Sequence, residues 1–326
     1  MTVLPPTLDV RLDRDAMRAA LERDAAAGLT ASPKTLPPVW FYDDVGSDLF
    51  DQITRLDAYY PTRAERALLE AHAPAIAEST RATTLVELGA GTCTKSRVLL
   101  DAMQSVGTLS RYIAVDVAEG TLLSAADQIS EEYPGLEVIA TVADFQDLSG
   151  LFYGGGPVLV AFLGGTIGNF DPAQRRRFFA DLDASLDHRD ALLLGADLLK
   201  DRQRLIAAYD DPIGVTAAFN RNVLTVLNRE LGADFDAGAF VHVARFDEEN
   251  QWIEMRLRAR SAQVVTIADL DIQIRFDEGE ELLTEISAKF TRDGIRSELE
   301  TGGFVVDSQF DQPGGDFLLT VAHPYC

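Results

Sequence analysis

The chain has 326 residues, 47% of them apolar and 8% aromatic, which suffices for a large α/β core and a second lobe and excludes disorder. A formal net charge of -23, with Lys and Arg nowhere concentrated beyond one helical run, excludes a surface for nucleic-acid phosphates. No run of about 18 apolar residues is present to span a membrane, and the opening MTVLPPTLDVRLDRD lacks the basic flank and apolar stretch of a secretory signal.

Residues 13 to 28 carry the spacing of an amphipathic helix ending at Gly28, after which the proline-rich TASPKTLPPVWFYDD forces an extended, irregular connection. Helix resumes over SDLFDQITRL and again, after YYPT, over RAERALLEAHAPAIAEST. Strands at 84 to 88, 111 to 116, 136 to 142, 157 to 163 and 191 to 198 then alternate with helices at 94 to 104, 119 to 132 and 172 to 186. In the last of these helices Arg175, Arg176 and Arg177 read as the wet face. Short apolar strands joined by helices imply a parallel sheet covered on both faces, because crossovers are right-handed.

Past residue 198 the alternation stops. Residues 200 to 232 are mainly helical, 238 to 285 turn to alternating strands such as WIEMRLRAR and DLDIQIRF, and helix returns at 291 to 302. FVVDSQF, the turn DQPGG and DFLLTVAH then form two strands in hairpin arrangement. A hairpin completing a parallel sheet is the ending of class I methyltransferases. The expected fold class is α/β: a Rossmann-like, doubly wound sheet ending in an antiparallel hairpin, plus a second α+β substrate-binding lobe. That lobe is expected in two pieces, 10–63 and 199–289, around the methyltransferase segments 64–198 and 290–326.

The stretch VELGAGTCTKS, residues 86 to 96, has two readings. Gly89 followed by Thr94-Lys95-Ser96 is one glycine short of a phosphate-binding P-loop, while Glu87-x-Gly89-x-Gly91 is the loop that holds an adenosine nucleoside. A P-loop needs glycine directly before the lysine so that consecutive N–H groups curl around a phosphate, and Thr94 puts a Cβ there. The next strand ends in Asp116, where a carboxylate accepts the 2′ and 3′ ribose hydroxyls. NAD proteins share that acid but place a third glycine where Thr94 stands, to seat a pyrophosphate. After the third strand come Asp144, for an adenine amino group, and Phe145, to flank the base. This series suits S-adenosylmethionine better than NAD or a nucleoside triphosphate.

FLGGTIGNF follows the fourth strand, so its backbone and Asn169 face the crevice at the carboxyl edge of the sheet. Asn169 donates and accepts, as an amino acid's charged ends require; the competing reading is a helix cap before Pro172. Tyr209 offers a neutral donor to a carboxylate, or serves only in packing. Glu285 and Ser287 share one face if LLTEISAKF is a strand, and there they grip both nitrogens of an imidazole or form a solvated face. The two cysteines, Cys93 and Cys326, build no disulfide framework and suit a reducing cytoplasm. His72, His188, His242 and His323 occur singly, so no metal is expected.

Longer blocks carry a more specific likeness: SPKTLPPVWFYDDVGSDLFDQIT, YYPTRAE, VELGAGT, FLGGTIGNF, LLLGADLLKD, AYDDPIGVTAAFNRNVL, NRELGADFD, IEMRLRAR and EELLTEISAKF. Together they resemble the histidine Nα-methyltransferases that start ergothioneine biosynthesis in actinobacteria, over nearly the whole chain from about residue 28. The resemblance implies successive methyl transfer from S-adenosylmethionine to the α-amino group of L-histidine, giving the trimethylated betaine hercynine and S-adenosylhomocysteine. It places the cofactor against Tyr42, Gly89, Lys95, Asp116, Asp144, Phe145 and Thr166. It places the amino acid's backbone groups near Gly164, Asn169 and Tyr209, with Tyr59 close by, and its imidazole against Glu285 and Ser287, with Met255 shaping the pocket. Tyr42, Asn169 and Gly164 would serve the transfer itself.

The sequence departs from that family's pattern at Cys93 and Thr94, where serine and glutamate are more usual, at Gly165, and in the final hairpin, where a tryptophan pair is missing. The alternatives are the same chemistry on another amino acid such as tryptophan, and a non-catalytic adenosine-binding protein on this scaffold. The expected partner is a small molecule, with no nucleic acid or membrane, for a cytoplasmic monomer.

Overall fold

The structure, a computed structural model, describes residues 3–145, 147–148, 150–152, 155–312 and 314–325. Cys326 and Pro313 of the expected DQPGG turn lie outside the described residues. In chain order the elements begin with β1 (Thr7–Val10), α1 (Arg14–Thr30), β2 (Lys34–Thr35), α2 (Asp44–Thr54), α3 (Pro61–Thr80), β3 (Thr84–Leu88) and α4 (Ser96–Val106). They continue with β4 (Arg111–Asp116), α5 (Glu119–Glu132), β5 (Glu137–Val142), β6 (Val158–Phe162), α6 (Pro172–Ser185), β7 (Ala191–Asp197), α7 (Arg202–Tyr209) and α8 (Val215–Leu231). Last come β8 (Phe240–Asp247), β9 (Trp252–Ala259), β10 (Gln263–Ile267), β11 (Ile272–Phe276), β12 (Glu281–Ala288), α9 (Arg292–Thr301), β13 (Phe304–Asp311) and β14 (Phe317–Pro324). Among the described residues no helix is long and apolar enough to cross a membrane.

Two compact units divide the chain: Met1–Arg11, Pro61–Lys200 and Ala288–Cys326 form one, Leu12–Tyr60 and Asp201–Ser287 the other. The first is built on a sheet of order β1-β5-β4-β3-β6-β7-β14-β13. The strands from β1 to β7 in that order pair in parallel, and β14 runs antiparallel to both β7 and β13. The chain's last strand is therefore wedged between β7 and the strand that precedes it, which is the class I methyltransferase arrangement. The sequences TLVEL, VLVAF and ALLLGAD are buried along their whole length, because helices cover both faces of the middle strands.

β1 has no counterpart in the sequence expectation. Its residues pair with Ile139 to Val142 of β5, and the Arg11 N–H donates to the Val142 carbonyl at 3.0 Å. In α6 the expectation of a wet arginine face fails at its first residue. Arg175 is buried, donates to Glu298 at 2.7 and 2.9 Å and to the Phe170 carbonyl at 2.8 Å, and lies over the Phe290 ring. The guanidinium is admitted because its donors are paired and its flat face meets an aromatic ring.

In the second unit β2-β12-β9-β8 form one sheet and β10-β11 a separate ribbon. Helix α1 buries Leu21, Ala25, Gly28 and Leu29, a single helical stripe. The helix does not stop at Gly28 as expected but runs on to Thr30. Gly28 is instead a contact point: a Cβ there would lie 2.1 Å from the Thr35 carbonyl oxygen, so only glycine lets β2 approach. The proline-rich connection contains a one-turn 3-10 helix, Pro38–Phe41, whose Trp40 and Phe41 join the unit's core beside Phe219 and Phe240.

Candidate active site

In the sheet order β3 and β6 are neighbours while the chain proceeds from β3 through β4 and β5, so the topological switch point falls between β3 and β6. The carboxyl ends of β3, β4, β5 and β6 carry Gly89, Asp116, Asp144 with Phe145, and Gly164, Asp116 as the last residue of its strand and the others in the loops that follow. After β3 the backbone is left-handed at Gly89 (φ 71°), Gly91 (φ 51°) and Cys93 (φ 53°), a curl that two glycines make inexpensive. A Cβ on Gly89 would meet the Phe145 ring at 3.7 Å, and one on Gly91 would meet nothing within 4 Å, so the turn leaves open room beside it.

Asp116 borders that room. Its Oδ2 accepts the Gly91 N–H at 2.8 Å and its Oδ1 the Ala118 N–H at 3.0 Å. The Val117 N–H also bonds this carboxylate, which has about four acceptor positions, so the backbone fixes its orientation beside the open room. Burial pushes the Asp116 carboxyl above the usual carboxylate range, against the pull of those backbone donors. Below the loop, buried Glu87 accepts the Ser96 hydroxyl and the Tyr112 hydroxyl, the latter at 2.7 Å, and ties β3 to the first residue of α4. Burial pushes the Cys93 thiol up to about 12, so the thiol stays protonated and unreactive at neutral pH.

After β6 two successive left-handed residues, Gly164 (φ 80°) and Gly165 (φ 70°), open a 3-10 turn, Thr166–Asn169. The Thr166 hydroxyl donates to the Leu163 carbonyl at 3.0 Å. Asn169 is half-buried in this turn and is not the cap of α6; Asp171 is, accepting the Ala173 and Gln174 N–H groups in a capping box. Lys95, just before α4, forms an ion pair with Glu65 of α3, whose other oxygen accepts the Gly164 N–H at 2.7 Å. Glu65 has no exposed surface and escapes sequence reasoning, because an acid in RAERALLE looks like any other helical charge.

The second unit gathers the remaining candidates. Tyr59 meets Tyr209 edge-on at 6.1 Å, and the Tyr209 hydroxyl is 2.8 Å from the Ser287 hydroxyl. Glu285, Ser287 and Met255 are buried. The half-buried Tyr42 ring lies edge-on to Phe50 and to Phe219, at 5.7 Å from each. Its neighbour Asp43 caps α2 and accepts Asn222 and Arg229 of α8 at 2.7 Å each, which fixes the backbone at Tyr42.

A polar chain behind Tyr209 is invisible in the sequence. His242 Nε2 donates to the Tyr209 carbonyl at 2.8 Å, and its Nδ1 receives the Asn220 amide at 2.9 Å. Asn220 in turn accepts the Thr284 hydroxyl at 2.7 Å. Burial lowers the His242 pKa, so the ring is neutral, as this donor and acceptor pattern requires. Among the described residues no group of three His, Cys, Asp or Glu side chains is placed to hold a metal ion.

Sheet order, glycine turn and strand-end acids together define a class I S-adenosylmethionine-dependent methyltransferase. The sequence matches the family described as histidine-specific, S-adenosylmethionine-dependent methyltransferases across residues 21–324. It is 52% identical over 311 residues to the histidine N-alpha-methyltransferase of Mycolicibacterium smegmatis, covering 95% of this chain and 97% of that protein. It is 50% identical to that of Mycobacterium tuberculosis with the same coverage. An L-tryptophan methyltransferase of Psilocybe serbica is 30% identical over 350 residues, covering 96% of each chain. The chain belongs to the histidine-specific, S-adenosylmethionine-dependent methyltransferase family.

Proposed function

We propose that this protein transfers methyl groups from S-adenosylmethionine to the α-amino group of L-histidine, three in succession, yielding hercynine and S-adenosylhomocysteine as the first step of ergothioneine biosynthesis. The observation that carries this is family membership along residues 21–324, with the two mycobacterial relatives named for that activity at 52% and 50% identity. The protein acts as a cytoplasmic monomer and uses no metal, because the donor already carries an activated methyl carbon on its sulfonium.

The chain's own task is alignment of a nitrogen lone pair with the S–CH3 bond at near-contact distance. Gly89, Lys95, Asp116, Asp144, Phe145, Thr166 and Tyr42 hold the cofactor. Tyr209 addresses the histidine carboxylate beside Tyr59, Glu285 and Ser287 take the imidazole nitrogens, and Met255 closes that pocket. Asn169 and the Gly164 carbonyl aim the amine. An α-ammonium has no lone pair to offer, and in a free amino acid, where a carboxylate rather than an amide is its neighbour, its pKa lies above the about 7.7 to 8.0 of a peptide N-terminus, so a proton must leave before transfer, to solvent or to a water held by Tyr42.

The deprotonated amine is the nucleophile, so turnover is expected to fall about ten-fold per unit below the amine pKa and to keep rising past about pH 8, the range in which a peptide N-terminus would already have levelled. A flat kcat profile with chemistry limiting would refute this account of the proton. Incubation with histidine and S-adenosylmethionine tests the activity directly: mass increments of one, two and three methyl groups are expected. Tryptophan belongs in the same panel, given the Psilocybe serbica relative. Tryptophan methylated in place of histidine would reassign the acceptor, and S-adenosylhomocysteine raising Tm with no methylated product would mark a non-catalytic binder.

A further inference from the structure

Glu65 is wholly buried on a helix whose inward neighbours Ala64, Leu68 and Leu69 are apolar. Packing alone asks for another apolar residue at this place. A buried ion pair is seldom more stable than an apolar side chain of similar volume, so stability does not account for the carboxylate. What accounts for it is the pair of groups it holds. Oε1 receives the N–H of Gly164, a residue in left-handed conformation at φ 80°, and Oε2 faces the Lys95 ammonium. A third contact limits where the carboxylate can lie: a Cβ on Gly195 of β7 would stand 2.2 Å from Oε1. The strand is left bare at that point to admit the acid.

We propose that Glu65 is a positioning residue for methyl transfer, one carboxylate setting both the Gly164 peptide on the acceptor side and the Lys95 ammonium on the cofactor side. The inference rests on the histidine methyltransferase reading above. Glu65 touches neither reactant; it orients a peptide and an ammonium assigned to them. Because misplacement by about 1 Å can cost on the order of a hundred-fold in rate, the two loops need a common anchor.

Glu65→Asp keeps the charge but withdraws it by one methylene, and Glu65→Gln keeps an acceptor for Gly164 without the charge. Both are expected to retain a cooperative melt and to lose on the order of ten- to a hundred-fold in kcat. The rising limb of the pH profile should stay where it is, since Glu65 is not the base. Gly195→Ala displaces Oε1 and should lower kcat about ten-fold, yet have a much smaller effect in a Glu65→Ala background, where only the Phe317 ring, 3.1 Å from the added Cβ, remains to shift. Glu70→Gln is the control on the same helix, since Glu70 is half exposed and pairs with Arg66 at the surface. Asp and Gln variants within about two-fold of wild-type kcat, or a Gly195→Ala effect that persists undiminished without the Glu65 side chain, would overturn the proposal. So would loss of the folded state in every Glu65 variant, which would assign the residue to stability. A wild-type protein that leaves histidine unmethylated overturns the reading beneath it, and shows this before any variant is made.

Discussion

Glu285→Ala is expected to raise the histidine KM on the order of ten- to a hundred-fold while leaving S-adenosylhomocysteine affinity within about two-fold. Glu285 is 8% exposed, in a strand whose burial does not alternate: Thr284 and Glu285 are both buried, as are Ser287 and Ala288. A solvated strand face is therefore not what this acid occupies. On the proposed assignment its carboxylate takes an imidazole N–H, a charge-assisted bond worth about 1.5 to 3 kcal/mol, and about 1.4 kcal/mol is a factor of ten.

The loss should concentrate in KM because Tyr209 has several anchors of its own. It is tied to the Ser287 hydroxyl and, through its carbonyl, to the chain of His242, Asn220 and Thr284. Glu285→Gln keeps an acceptor without the charge and should fall between wild type and alanine. Steady-state kinetics with histidine varied, beside calorimetry with S-adenosylhomocysteine, measure both arms; unchanged histidine use in the alanine variant removes Glu285 from the imidazole site.

The parallel sheet is legible in the sequence because burial on both faces leaves unbroken apolar runs such as VLVAF and ALLLGAD. The strand ends follow from those runs, and with them the places of Gly89, Asp116 and Asp144. β1 is not legible: TLDV is largely exposed, four residues long, and defined only by pairing with a strand more than a hundred residues away. Arg175 and Glu65 are hidden for a related reason. A charge on a helix is ordinarily solvated, and what buries these two lies far along the chain, Glu298 for one, Lys95 and Gly164 for the other. Local pattern reports which face of an element is apolar; it does not report which distant partner makes a buried charge affordable. His242 is the same case in neutral form, a lone histidine by sequence and the middle of a polar chain in space.

Asp116→Ala is expected to weaken S-adenosylhomocysteine binding on the order of a hundred-fold or more, the loss of two charge-assisted bonds at about 1.5 to 3 kcal/mol each, while direct titration finds histidine affinity spared. On the proposed assignment the side chain has two jobs that the substitution removes together: it accepts the ribose diol, and it holds the glycine turn through the Gly91 N–H at 2.8 Å. Asp116→Asn separates them in part, since the amide oxygen still accepts one backbone N–H but the charge is gone. pH adds an independent check. Burial holds this carboxyl above the usual range in the free protein. Ribose hydroxyls donate to the ionised form, so binding is full above the raised pKa and is lost as pH falls through it, earlier on acidification than for an ordinary aspartate. The asparagine variant has no such group and should lack that limb. Dissociation constants measured at neutral and mildly acidic pH should therefore diverge for the wild type and stay parallel to the cofactor's own titration for the variant; equal slopes would show that Asp116 does not carry the ribose.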